Sequence, residues 1–176
     1  EKLSKKNTYS FNFEHELHGF SMLSDKFLFS YGISRYVYMG GAHGLSTRNF
    51  FNFDLNTGKL LKEADIFTEN YDEKIKELIK IRIVEQSLED STMIPISNLE
   101  DTDYWVDAIK PNGNFYITES SINYVFNPYE IAPYSLGETE VILPFDRIKD
   151  ILKKNTVISH LIEIQENPWP IILFIT

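Results

Sequence analysis

The residues whose types and spacing best suit chemistry lie at positions 38–44, which read YMGGAHG. Glycines around a histidine let the backbone approach a ligand closely or direct N–H groups at an anion, and His43 is the residue type that carries protons near neutral pH. The stretch lacks the Lys-Ser/Thr pair of a nucleotide-binding loop and the spacing of a dinucleotide fingerprint. The alternative is a bulged strand or tight loop in which Gly40, Gly41 and Gly44 only shape the backbone.

Positions 15–18 read HELH and have the composition of a metal site. Zinc proteases carry two histidines four residues apart on a helix, whereas His15 and His18 are three apart in a segment of extended character. We therefore predict no functional metal at this stretch.

Other catalytic constellations find no support in the sequence. There is no Gly-x-Ser-x-Gly elbow, and the absence of cysteine excludes disulfides, thiolate zinc sites and cysteine nucleophiles. Asp101 and Asp103 are close in sequence, but the paired acids of a glycosidase must converge in a cleft, so a solvated loop is the favoured interpretation. The sequence predicts no catalytic residue and no cofactor.

The stretch at 127–137, NPYEIAPYSLG, contains two prolines and two tyrosines. Such a stiff segment loses little conformational entropy on binding, and tyrosines are frequent anchors of interfaces. The alternative is that Tyr129 and Tyr134 pack onto a sheet as covers. Both interpretations stay open at this point.

The motifs at 15–18 and 38–44 lie in a half of the chain that is predicted to form strands. Aromatic residues recur there with the two-residue period of extended segments, at Phe11, Phe13, Phe27, Phe29, Tyr31, Tyr36, Tyr38, Phe51 and Phe53. Breakers are expected at Gly19, 24–25, Gly32 and 40–44, and a turn at 56–58 with Gly58 at positive φ.

The second half predicts two helices and three more strands. A long helix is expected at about 70–90, with Asn70 and Glu73 as a capping box and Pro95 preventing its extension. Its apolar positions are Ile75, Leu78, Ile79, Val84 and Leu88. Strands are expected at 115–118, 122–126 and 139–143. A short helix is expected from Pro144 to Asn155, burying Ile148, Ile151 and Leu152, and apolar segments follow at 157–164 and 171–175.

These elements predict an α+β fold in which a mostly antiparallel sheet packs against one long and one short helix. Residues 1–176 are about one domain by length. The 26 acidic residues outnumber the 17 basic ones and give a net charge of −9, which disfavours nucleic acid and favours encounter with a cationic partner. No apolar run approaches the length of a membrane span. The chain begins at Glu1 rather than Met, which is compatible with a removed signal peptide, lipid anchor or upstream segment.

Several motifs in one order resemble the extracytoplasmic domain of the RsiV-type anti-sigma factors, a domain also shared with a peptidoglycan deacetylase and with uncharacterised envelope lipoproteins. The resemblance covers about residues 30–154, leaving 155–176 as an extension. It is carried by YMGGAHG at 38–44, NFDLNTGK at 52–59, DIF at 65–67, NFYI at 114–117, FNPYEIAPYSLG at 126–137 and VILP at 141–144.

The resemblance implies a domain outside the cytoplasm, periplasmic or at the cell surface, without catalysis of its own. In the anti-sigma members this domain binds lysozyme, but their membrane helix and sigma-binding segment are not present here. The predicted ligand is lysozyme or cell-wall glycan, and the alternatives are an envelope-polymer hydrolase using His43 and a purely structural accessory domain. The predicted binding residues are Tyr38, His43, Tyr129, Glu130, Pro133 and Tyr134, and the predicted structural glycines are Gly40, Gly41, Gly44, Gly58 and Gly137. The sequence leaves open whether the two motifs face one cleft.

Overall fold

The computed structural model describes residues 13–166, which form two antiparallel sheets and four α-helices. The first sheet has the order β1-β2-β3-β4: β1 Glu14–Ser24, β2 Leu28–Tyr38, β3 Leu45–Asp54 and β4 Lys59–Leu60. The second has the order β5-β6-β7: β5 Phe115–Ile117, β6 Ser121–Phe126 and β7 Thr139–Pro144. The helices are α1 Glu63–Ile66, α2 Tyr71–Glu89, α3 Phe145–Ile148 and α4 Ser159–Glu166.

The predicted α+β class with antiparallel strands is confirmed, as are the long helix and the three strands of the second half. The strands divide between two sheets instead of forming one. Phe11 and the apolar segment 171–175 lie outside the described residues. Within residues 13–166, no helix combines the length and hydropathy that crossing a bilayer requires.

The predicted aromatic residues of β2 and β3 lie on both faces of the first sheet: Phe29 and Tyr31 are on the outer face, whereas Tyr36 and Tyr38 are on the opposite one. Phe29 is paired with Phe53 and Tyr31 with Phe51 across the two strands, and these side chains are half-buried. The buried inner face carries the polar residues Ser30 and Asn52 beside the apolar Leu28 and Phe50. The two-residue period therefore predicted the strands correctly, while the side of the sheet that faces the core also carries buried polar residues.

Gly19 and Gly32 are inside strands rather than between them, so the prediction that they break the chain is wrong. A Cβ at Gly32 would lie 2.7 Å from Cζ of Phe20 and 2.8 Å from Cε1 of Phe50. A Cβ at Gly19 would overlap the phenol ring of Tyr31. Both glycines are needed because aromatic rings from neighbouring strands occupy the space above them.

Helix α2 begins where the sequence predicts but without the predicted capping box. Asn70 has φ 61° in the left-handed region, and its side chain makes no capping hydrogen bond. Asparagine tolerates this conformation better than most residues, so it serves as the turn before the helix. The helix ends at Glu89, ahead of Pro95. Leu88 is 63% exposed, contrary to its predicted place on the buried face, because the last turns present Arg82 and Ser87 inward instead.

Both edges of the second sheet are closed by carboxamide side chains from neighbouring elements. On β7, Gln86 of α2 donates to the Glu140 carbonyl at 2.9 Å and accepts from the Ile142 N–H at 2.8 Å. On β5, buried Asn52 donates to the Phe115 carbonyl at 2.8 Å and accepts from the Ile117 N–H at 3.2 Å. Each carboxamide thus replaces one residue of a missing neighbouring strand and fixes the position of the sheet.

The core lies between α2, the second sheet and the inner face of the first sheet, with Ile79, Tyr124, Leu143 and Phe145 fully or almost fully buried. The predicted short helix is shorter than expected: Pro144 ends β7, α3 has four residues, and Lys149–Ile151 is a 3₁₀ turn. Its predicted apolar positions Ile148, Ile151 and Leu152 are all buried. The segment at 157–164 contains most of α4.

Candidate functional site

The YMGGAHG motif forms the connection between β2 and β3. Gly40 and Gly41 have φ of 88° and 107°, which non-glycine side chains rarely adopt, and the Tyr38 hydroxyl closes the loop by donating to the Gly41 carbonyl at 3.0 Å. Gly44 is buried, and the ring of Tyr36 occupies the space that a Cβ there would need. The glycines therefore set the shape of the loop and present the exposed ring of His43.

The 127–137 segment is attached to β3 next to this loop. The side chain of buried Asn127 accepts from the Arg48 N–H at 2.7 Å and donates to the Arg48 carbonyl at 3.0 Å. Tyr129 has φ 72°, a left-handed conformation that costs a bulky residue on the order of 1 kcal/mol or more. Pro133 precedes the 3₁₀ turn Tyr134–Leu136, which ends at Gly137 with φ 70°.

The two motifs meet in space. The ring centroids of His43 and Tyr134 are 3.8 Å apart with an interplanar angle of 19°, and the rings of Tyr129 and Tyr134 are 5.7 Å apart. The Tyr134 hydroxyl donates to the Gly44 carbonyl at 2.9 Å. We call His43, Tyr129 and Tyr134 the aromatic cluster.

The ring of His43 is fixed on one side and free on the other. Its Nδ1 is 2.9 Å from the Gly44 carbonyl oxygen, and because a carbonyl only accepts, Nδ1 carries the hydrogen. In the neutral ring Nε2 is then an acceptor. Among residues 13–166, no carboxylate forms an ion pair with His43.

The aromatic cluster borders a cavity of about 340 Å³. It is lined by Arg35, Val37, Met39, Gly40, His43, Gly44, Leu45, Thr47 and Tyr129. Of the predicted binding residues, His43 and Tyr129 line the cavity and Tyr134 supports them. Tyr129 is 52% exposed. Tyr38, Glu130 and Pro133 are outside the lining. Glu130 instead accepts a hydrogen bond from Asn112 at 2.8 Å.

A charged network that the motifs did not indicate joins β3 to Glu138 and to β7. The guanidinium of Arg48, on β3, donates twice at 2.8 Å to the carboxylate of Glu138 and at 2.7 Å to Glu140. Hydrogen bonding to Glu138 raises the pKa of Arg48 above its usual value despite partial burial. Burial and the hydrogen bond to Glu140 raise the pKa of Tyr116. The sequence alone could not have indicated this network. It shows only an arginine in one predicted strand and two glutamates at the start of another.

Comparison with known proteins assigns a family to the region that contains the 127–137 segment. The model of a protein family of unknown function, DUF3298, matches residues 64–146.

Residues 64–146 are a DUF3298 domain.

Two crystal structures of DUF3298 proteins share the fold. The member from Bacteroides fragilis is 29% identical with a TM-score of 0.77, over 89% of this chain and 61% of that chain. The protein from Pseudomonas aeruginosa is 22% identical with a TM-score of 0.67, over 81% of this chain and 63% of that one. The chain therefore spans less than two thirds of either protein.

The peptidoglycan-N-acetylmuramic acid deacetylase PdaC of Bacillus subtilis is 27% identical over 134 residues. The match covers 70% of this chain and 26% of the deacetylase, so the chain spans about a quarter of that enzyme. The predicted resemblance to a domain of unknown function shared with a peptidoglycan deacetylase is confirmed. The kinship with RsiV-type anti-sigma factors stays a prediction.

The DUF3298 domain contains the 127–137 segment, while the His43 loop lies N-terminal to the matched residues. The domain also holds a larger groove of about 630 Å³ between α2, residues 93–104 and β7. Its lining includes Ile94, Tyr104 and Leu136 together with Asp101 and Asp103. The two aspartates, expected on a solvated loop, are exposed at the margin of this groove.

The HELH stretch lies on β1, outside the DUF3298 match. His15 and His18 are an odd number of positions apart on a strand, so they point to opposite faces. The Nε2 atom of His15 accepts from Arg35 at 3.2 Å, and His18 lies 3.7 Å from Glu16. Residues 13–166 contain no group of three metal-ligating side chains placed to hold an ion.

Proposed function

We propose that this chain is a non-enzymatic binding module of the cell envelope, acting outside the cytoplasm, and that cell-wall glycan is its ligand. The observation that carries the proposal is the aromatic cluster at the border of an open cavity. Sugar rings present C–H groups on their faces and hydroxyls on their edges. The C–H groups suit the electron-rich faces of aromatic rings, and the hydroxyls suit the few polar groups that fix a ligand's orientation.

The construction of the cluster supports binding more than structural cover. Tyr129 keeps a half-exposed ring on a left-handed backbone, and such local strain concentrates at functional sites.

Similarity to the peptidoglycan deacetylase supports the choice of ligand. That enzyme acts, by its name, on N-acetylmuramic acid of peptidoglycan. The segment shared with this chain is about a quarter of it, which suits an accessory module that brings a polymer to a catalytic one.

The contacts of His43 favour binding over hydrolysis. Its Nδ1 is used in the bond to Gly44, and one ring face covers Tyr134. A general acid or base needs a partner that orients it and holds it against the reacting atom, whereas this ring is held against an aromatic neighbour.

Lysozyme is the second candidate ligand, favoured by the net charge of −9, because an acidic surface accelerates encounter with a basic protein. Such attraction weakens as salt shortens the Debye length.

The test is binding of the purified chain to insoluble peptidoglycan by sedimentation, and to soluble glycan fragments and lysozyme by calorimetry at two salt concentrations. We expect glycan binding that Tyr129→Ala weakens about tenfold or more, in the range found for interface anchors. Phe13→Ala, which removes an exposed ring preceding β1, is the matched control. Glycan binding that survives loss of Tyr129 would remove the cluster from the site. Salt-sensitive binding to lysozyme alone would replace glycan with the second candidate.

A further inference from the structure

Arg35 differs from the other arginines of the chain in its surroundings. The sequence contains four arginines, and Arg48, Arg82 and Arg147 are each ion-paired with glutamate. Arg35 has no carboxylate partner among residues 13–166, although acidic residues outnumber basic ones 26 to 17 in the sequence. It lines the cavity beside the aromatic cluster.

The guanidinium of Arg35 is oriented by a neighbouring strand. Its Nε donates to Nε2 of His15 on β1 at 3.2 Å, and no other hydrogen bond of this group occurs within residues 13–166. The two terminal amino groups therefore keep their donors for an external acceptor. A guanidinium held through Nε offers them as a fork, the geometry that carboxylates and phosphates accept in two parallel bonds.

The lining of the cavity matches this orientation. Among the described residues it contains one cation, Arg35, and no aspartate or glutamate. His43 and Tyr129 supply ring faces, and Thr47 supplies a hydroxyl that both donates and accepts. In an acidic chain, a wall with one cation and no carboxylate favours the approach of an anion.

We propose that the ligand of this cavity is an anionic glycan, whose carboxylate or phosphate binds Arg35 while a sugar ring packs on the aromatic cluster. The inference rests on the proposed function and narrows its ligand class. Cell-wall polymers supply both chemistries, as sugar carboxylates and as phosphodiesters. Neutral glycans would use the rings alone and bind more weakly.

The experiment is calorimetry with three probes of similar length: a neutral N-acetylglucosamine oligosaccharide, an N-acetylmuramic acid-containing oligosaccharide with a free carboxylate, and an N-acetylglucosamine oligosaccharide that carries a phosphate group. Wild-type protein should bind one of the anionic probes about tenfold or more tighter than the neutral one, the scale of a charge-assisted hydrogen bond. The anionic probe that binds tighter distinguishes carboxylate from phosphate as the source.

Arg35→Gln should remove that preference, because it weakens binding of the anionic probe more than binding of the neutral one. Arg147→Gln, which also removes an exposed arginine, should keep the preference; Arg35 and Arg147 are both at the surface, so both variants should fold. Equal binding of neutral and charged probes by wild-type protein overturns the inference while preserving the proposed function, as does a preference that persists in Arg35→Gln. Failure of every probe to bind overturns both.

Discussion

The imidazole of His43 lies nearly parallel to the phenol ring of Tyr134 at a centroid distance of 3.8 Å, and this contact joins two motifs that are distant in sequence. The loop between β2 and β3 supplies one ring, and the segment after β6 supplies the other. Each is anchored separately, the loop by Tyr38 and the segment by Asn127. The site therefore depends on how the two sheets are joined.

Substitutions at Tyr134 should separate its ring from its hydroxyl. Tyr134→Phe keeps the stacked ring but removes the donor to the Gly44 carbonyl, so we expect a loss of about 0.5–1.5 kcal/mol in the free energy of unfolding with glycan binding retained. Tyr134→Ala removes the support of His43 and should weaken binding about tenfold or more. Urea unfolding and calorimetry measure the two effects. Equal binding by the Ala and Phe variants would contradict a role for the ring.

At Tyr129 we expect stability and binding to change in opposite directions. Tyr129→Gly relieves the left-handed backbone, so the free energy of unfolding should stay equal or rise by up to about 1 kcal/mol, while glycan binding is lost with the ring. Tyr129→Ala loses the same ring but keeps the strain and should be the less stable of the two. A Gly variant clearly less stable than the Ala variant would show that the positive φ of 72° is not a source of strain.

The carboxamides at the two sheet edges should differ in importance because they differ in burial. Asn52→Ala leaves the Phe115 carbonyl without a donor at a buried position and should cost about 2–4 kcal/mol. Gln86→Ala removes a half-buried carboxamide whose backbone partners water can reach, and should cost about 1 kcal/mol. Urea denaturation of both variants decides this. A similar cost for both would mean that burial does not set the contribution of the edge bonds.

These carboxamides also show how far the sequence could predict this molecule. The period of Phe29 and Tyr31 and the apolar spacing of Ile75 and Ile79 predict elements, because periodicity is local. The pairing of Asn52 with β5 joins residues far apart in the chain. No local sequence pattern predicts which residue an asparagine in a strand will bond. The motif glycines pointed to the His43 loop, while the orientation of Arg35 depends on the register of β1 against β2.

Replacing Arg48 by a residue without a planar guanidinium should lower the free energy of unfolding. Arg48→Lys keeps the charge but loses the planar guanidinium that donates to Glu138 and Glu140 from several N–H groups at once, so we expect a loss of about 1–3 kcal/mol in the free energy of unfolding. The backbone of residue 48 also anchors the 127–137 segment through Asn127, so a shift of β3 after loss of the side-chain network should weaken glycan binding as well. The matched control is Arg147→Lys, whose contacts with Glu85 are longer, at 3.4 Å. If the two lysine variants have the same stability, the Arg48 network does not contribute to the packing of β3 against β7.

The contact between Asp25 and His160 predicts a pH dependence of stability. The Nε2 atom of His160, on α4, donates to Asp25 at 2.7 Å, and the N–H groups of Phe27 and Leu28 bind the other carboxylate oxygen. Burial acts to raise the pKa of Asp25, but the bond from His160 and the two backbone bonds together lower it below its usual value.

A carboxyl whose pKa is lower in the folded than in the unfolded state binds fewer protons when folded. Its stabilisation is complete above the unfolded value of about 3.9 and is lost as the pH falls through the folded pKa. Wild-type protein should therefore exceed Asp25→Asn in free energy of unfolding at pH 5, and the difference should shrink below about pH 4. In a His160→Ala background the effect of Asp25→Asn should be smaller but not zero, because the backbone donors remain. Urea titrations between pH 5 and pH 2.5 measure this, and a difference that grows on acidification would reverse the assigned direction.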